Sequence, residues 1–204
     1  MQQEVRMSDT TVNLAELIGS RICHDLISPI GAITNGLELL EMVGSVQGPE
    51  MELISGSVGS AGARIRFFRV AFGSASDQPL GRAEVSELLK DVERAGRVRV
   101  NWNLTEAIPR NQVKLAFLAL MCCESAMPFG GEVTIENMGE SWTVSGSADK
   151  LNLDNDLWKN LPTGRFANSV KPAQVQFALL PETATAMGRR VAAETASTRV
   201  TIRF

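Results

Sequence analysis

The chain has 204 residues and is 44% hydrophobic, enough to bury a core in one large or two small domains, which excludes a linker or a solvated tail. Its formal net charge of −3, without a basic run or zinc-finger spacing, argues against nucleic acid as a partner. Three cysteines, Cys23, Cys122 and Cys123, are an odd number without CxxC spacing, and no apolar run is long enough for a membrane span or an export signal, so the expectation is a cytoplasmic protein with reduced thiols.

Residues 1–12 read as a disordered tail. From Asn13 to Val43 the apolar residues Ile22, Leu26, Ile30, Ile33, Leu37 and Leu40 recur at steps of three and four, which predicts one stripe on a long helix. "GSVQGPE" (44–50) has the glycines and proline of a tight turn. Met51, Ile54, Val58, Ala61, Ile65, Phe68 and Phe72 then repeat at alternating three and four, so a second helix returns antiparallel. A two-helix hairpin cannot bury two such seams alone, and a four-helix bundle built from two copies can; the expectation is a homodimer. Gly56, Gly59 and Gly62 are unusual inside a helix and point to close helix packing or partner docking there.

"GSASDQPLGR" (73–82) reads as a linker, which divides the chain into a helical hairpin at 13–75 and a second domain at 76–204. The second domain reads as a helix at 83–95, a strand in "RVRVNWNL", a helix at 112–126, strands "GEVTIEN" and "SWTVSGS", an irregular stretch, a helix near 172–187 that Pro181 should kink or split, and closing strands "RRVAAE" and "TRVTIRF". Helices and strands mix without strict alternation, so the fold class is α+β, a sandwich with helices on one face of a mixed sheet. Cys122, Cys123 and the three tryptophans read as core packing, and "PFGGEV" (128–133) as a tight entry into a strand, because no lysine follows at P-loop spacing.

His24 is the only histidine. On a helix it lies ~200° from Ile22 and Leu26, away from the predicted seam, with Ser20, Arg21, Ile27, Ser28 and Gly31 as neighbours on that outer face. A neutral imidazole nitrogen is a competent nucleophile toward phosphorus near neutral pH. Asp25 is placed to orient the ring, and Arg21 to offset charge on an attached phosphoryl group. A turn near residue 46 would bring positions 68–70, and hence Arg66 and Arg69, beside His24, where they can steer an acidic partner pocket or simply be solvated arginines.

"CHDLISPIGAITNGLELL" (23–40) resembles the H-box of sensor histidine kinases, in which the phospho-accepting histidine is followed by an acidic residue and, five positions on, a proline; His24, Asp25 and Pro29 occupy those places. The wording is more similar still to the ChpT family of alphaproteobacterial histidine phosphotransferases, which resemble a kinase lacking its ATP site. The resemblance implies a dimeric hairpin followed by a degenerate kinase-like ATPase domain. Kinases of this superfamily carry an Asn-x-x-x-Asn-Ala box, and "MCCESAMPFGGEVTI" (121–135) has Met121 and Ser125 at the two asparagine places. An Asp-x-Gly-x-Gly motif and a Gly-rich lid are missing as well, so no ATP binding is expected and magnesium would come with the partner receiver domain.

The function expected from this resemblance is phosphoryl transfer through His24, between the receiver domain of a CckA-like hybrid histidine kinase and CtrA-like and CpdR-like response regulators. The rival readings are an ATP-dependent histidine kinase with an eroded nucleotide site and a non-catalytic dimeric adaptor that binds receivers.

Overall fold

A computed structural model describes residues 19, 22–23, 26–28, 30–40, 42, 48–74, 78–166 and 170–204. Residues 30–40 form helix α1, and the described residues 22, 23 and 26–28 before them are helical too. Helix α2, Pro49–Ala71, starts on a proline, whose missing N–H costs nothing in the first turn. It ends where Phe72 donates its N–H to the Phe68 carbonyl. The two helices are antiparallel neighbours: a Cβ on Gly62 would lie 3.5 Å from Ile30 Cγ2, and one on Gly19 would lie 3.2 Å from Phe72 Cβ. Gly56 and Gly59 face open space.

The rest of the chain is an α+β sandwich. Strand β1 (Pro79–Leu80) pairs with β3 (Ile108–Pro109) in a short ribbon. Strands β2 (Val98–Trp102), β4 (Gly131–Met138), β5 (Ser141–Ser147), β7 (Arg199–Arg203) and β6 (Ala192–Thr195) form a five-stranded sheet in that order, parallel only between β2 and β4. Alternation along the strands turns Val133, Ile135, Trp142, Val144, Val200 and Ile202 to one face, where they are wholly buried. That face packs on α4 (Arg110–Ser125), whose residues Val113–Leu120, Cys122 and Cys123 are all buried. A helix apolar all round belongs at the centre of a core, and α4 has the sheet on one side and α2 and α6 (Val175–Ala186) on others. Helix α3 (Arg82–Ala95) packs on α2 and β2.

Predicted and observed elements agree closely in this domain apart from the β1–β3 ribbon, which the sequence reading lacks, and three further points. Pro181 does not split α6: it lies buried inside an unbroken helix beside Phe177, Leu180 and Ala184, and this packing outweighs the one backbone hydrogen bond that proline cannot donate. The irregular stretch contains a short helix, α5 (Asn155–Asn160), capped by Asp154, whose carboxylate accepts from the N–H groups of Asp156 and Leu157. Residues 73–82 are also more than a tether. The Gln78 backbone carbonyl accepts from the Arg110 backbone N–H, and the Gly73 carbonyl accepts from the buried Lys114 ammonium at 2.9 Å.

The far half of α2 joins the core of the second domain. Phe67, Val70 and Ala71, at helical spacing, are buried there, and Phe67 stacks on Phe117 with ring centroids 4.5 Å apart and planes 9° from parallel. No helix among the described residues is long and apolar enough to cross a membrane.

Candidate functional site

Arg21, His24 and Asp25 lie outside the described residues; their immediate surroundings do not. Cys23 is buried, with 6% of its surface exposed. Burial pushes its thiol pKa up, and the nearby Arg69 charge opposes that rise, so the end of α2 stands beside the chain neighbour of His24. Four and seven residues on, Ile27 and Ile30 are half-buried, and Thr34 and Leu37 continue the pattern. On a helix turning ~100° per residue, these five positions fall within roughly 40° of one line, the line that meets α2.

Ile22, Leu26, Ile33 and Leu40, expected in the seam with Ile30 and Leu37, are exposed instead. They form a second stripe, roughly 60–100° to one side of the first. One predicted stripe is therefore two adjacent faces, of which the single chain covers only one. Ile27 moves in consequence: it is half-buried on the inward line, not on the open outer face where the seam assignment puts it. Ser28 and Gly31 are exposed as expected, and nothing lies within 4 Å of a Cβ built on Gly31.

The two arginines of α2 have different surroundings. Arg66 donates from Nη2 to Asp91 Oδ2 of α3 at 2.7 Å, and Arg94 reaches the other carboxylate oxygen at 3.5 Å. The Asp91 carboxylate thus offsets part of the Arg66 charge. Arg69 has no such acidic partner among the described residues, and its carbonyl accepts from Arg110 Nη2 at 3.4 Å. Arg110 holds its proton less tightly than an ordinary arginine, first through burial and then through repulsion from Arg69, with Glu84 opposing. Arg69 and Arg110 therefore make a concentrated positive spot next to Cys23. Sequence reasoning misses Arg110 because no periodicity links it to a residue 41 positions earlier on another element.

At the position of the kinase asparagine box, Met121 is half-buried at the end of α4, and the Ser125 hydroxyl donates to the Cys122 carbonyl of its own helix. Cys122 and Cys123 pack wholly inside, and burial pushes both thiols up, Cys123 to about 12. A Cβ on Gly146 would lie 3.0 Å from Cys123 Cβ, so β5 and α4 are in direct contact where the kinase motifs align.

The family model described as the histidine phosphotransferase C-terminal domain matches residues 82–199, more than half of the chain. The protein phosphotransferase ChpT of Brucella abortus (strain 2308) is 36% identical over 133 residues, which cover 64% of this chain and 63% of that protein. The chain thus matches somewhat less than two thirds of that relative's length. Among solved structures, a bacterial phosphotransferase superposes with a TM-score of 0.66 over 95% of both chains at 24% identity, which establishes the same fold from the hairpin through the sheet. With α4 and all of the sheet but most of β7 inside the matched segment, the chain belongs to the family defined by the histidine phosphotransferase C-terminal domain.

Proposed function

We propose that the chain is a histidine phosphotransferase of a multi-step phosphorelay, with His24 as the phosphoryl carrier. The observation that carries this reading is the family match over residues 82–199, joined to a histidine set in an H-box-like sequence. In the forward step a neutral nitrogen of His24 attacks the phosphorus of a receiver's aspartyl phosphate. The N–P bond forms as the acyl-phosphate P–O bond breaks, and the aspartate carboxylate leaves. The second transfer reverses these events onto the aspartate of a response regulator. Each receiver brings its own magnesium, so this protein supplies a positioned nucleophile and a docking surface, which is catalysis by proximity.

The exposed Ser28 and Gly31 leave room for a globular partner, and Arg69 with Arg110 favours an acidic one. Arg66, already paired with Asp91, contributes less steering than Arg69. Asp25 and Arg21 retain the orienting and charge-offsetting roles given to them above. The partners proposed are the receiver domain of a CckA-like hybrid kinase upstream and CtrA-like and CpdR-like regulators downstream.

A homodimer belongs to this reading. Helices in a four-helix bundle touch two neighbours, and the second apolar stripe of α1, with Leu53 and Ile54 of α2, is what a partner copy would cover. Each such side chain contributes about 1.5–3 kcal/mol when fully buried. Phosphate comes from receivers rather than from ATP at a kinase-type site, since Met121 offers no amide oxygen for a magnesium and the Ser125 hydroxyl is engaged by its own helix.

The test is incubation of the purified chain with a phosphorylated receiver in the absence of ATP. The expected product is a label on this chain that acid removes and alkali does not, as for a phosphoramidate. Labelling that requires ATP and appears without any receiver would favour a self-sufficient kinase.

A further inference from the structure

The face of the sheet turned away from α4 carries a cleft that phosphotransfer does not use. It measures about 800 Å³ and lies where β2, β4 and β7 begin and β5 ends. Strand pairing aligns Arg99, Glu132, Ser147 and Arg199 in one row across four strands, all on this outer face. Three strand spacings separate the two arginines, ~14 Å between Cα atoms, a span that two long side chains close from both sides. Arg97 and Lys150 stand at the rim.

Four cations against two carboxylates, Glu132 and Asp149, give the cleft a positive excess in a chain whose net charge is −3. Arg66, Arg94 and Arg203 each have a carboxylate partner, but among the described residues Arg99 and Arg199 have none. Phe129 forms a wall that is 74% exposed, and the Lys150 ammonium lies 5.9 Å from its ring centroid. The floor is backbone: Gly130 has φ +100°, and a Cβ there would come within 2.7 Å of the Arg97 carbonyl, so the chains approach too closely for a side chain. The "PFGGEV" stretch thus shapes this cleft.

We infer that the cleft binds a small ligand carrying a diphosphate group, with Arg99 and Arg199 on the phosphates and, where the ligand has a ring, Phe129 against it. Guanidinium groups take phosphate oxygens through paired charge-assisted hydrogen bonds, and an exposed aromatic beside them suits a planar base. Free pyrophosphate and a nucleoside diphosphate share this chemistry. Glu132, whose carboxylate accepts from the Asn101 amide, weakens the site by repulsion. The site lies on the opposite side of the sheet from α4 and stands whether or not His24 carries phosphate.

Titration calorimetry of the full chain with pyrophosphate and with ADP, in magnesium-free buffer, tests the assignment. Both probes should bind. Arg99→Glu with Arg199→Glu should weaken both by about tenfold or more, and Arg199→Gln alone, a single exposed change, should weaken both by a smaller factor. Glu132→Gln should tighten both. Phe129→Ala should weaken ADP and spare pyrophosphate if the ring is used; equal affinity of wild type for the two probes would mark the bare diphosphate as the ligand. Absence of binding by either probe, or affinities unchanged in the double charge reversal and in Arg199→Gln, would overturn the inference.

Discussion

Phe117, at the centre of α4, has no exposed surface, whereas Leu40 on α1 keeps 42% and Met42 keeps 83%. These residues are of one chemical kind, and the difference lies in what surrounds them. The second domain closes its core within one chain, using the sheet, α4, α6 and the far half of α2. The hairpin buries one line of α1 against α2 and leaves the adjacent line open. α2 belongs to both regions: Phe67 is sealed against Phe117, while Leu53 and Ile54 near its start are exposed. The closed core and the open stripe are the physical reason for proposing a second copy on the hairpin and not on the second domain.

Introducing charge on the open stripe should produce the largest contrast between the regions. Ile33→Glu should convert a dimer to monomers, because burying an unpaired carboxylate costs several kcal/mol and a two-fold interface repeats that cost. The thermal transition of the second domain should not move. Light scattering and calorimetry on the same sample check both halves of this statement. The opposite change is Phe117→Ala, expected to destabilise the closed core by about 3–5 kcal/mol in denaturant titration. A double-mutant cycle with Phe67→Ala should return a coupling of about 0.5–1.5 kcal/mol from the stacked pair, evidence that α2 and α4 melt together.

The closed core should also show an alkaline weakness. Cys122 and Cys123 have folded-state pKa values raised above the ordinary 9.0, Cys123 to about 12. A raised pKa means that the folded state holds a proton the unfolded state gives up. The contribution is intact below pH 9 and is lost as pH climbs from 9 toward 12, on the order of 1 kcal/mol per pH unit per thiol. Cys123→Ala should flatten that slope. The smallest expected effect is that of Arg66→Ala, which removes an exposed pair with Asp91 and should cost about 1 kcal/mol or less in stability.

Much of the closed domain is legible in the sequence because its signals are local. "SWTVSGS" alternates, and β5 is Ser141–Ser147; the apolar run after Pro109 is helical within two residues of its expected start. The hairpin is harder. Hydrophobic spacing marks Ile22, Leu26, Ile30, Ile33, Leu37 and Leu40 as apolar without saying that Ile30 and Leu37 meet α2 while the other four do not, and the side assigned to Ile27 depends on that distinction. Arg66–Asp91 and Arg69–Arg110 join residues far apart in sequence on different helices, which no spacing rule reaches. α5 has six residues, too few for a periodic pattern, and only its capping Asp154 signals it. Pro181 does not split α6, because tertiary packing around the helix outweighs a local preference.

His24 is proposed to carry the phosphoryl group between receivers. Single-turnover transfer, measured from a phosphorylated hybrid-kinase receiver to this chain and from the chain to a response regulator, with wild type and His24→Ala compared and folding checked by circular dichroism, tests it most directly. Rapid ATP-independent transfer in both steps is expected for wild type, and none in either step for a folded His24→Ala protein. Undiminished transfer by His24→Ala would contradict it.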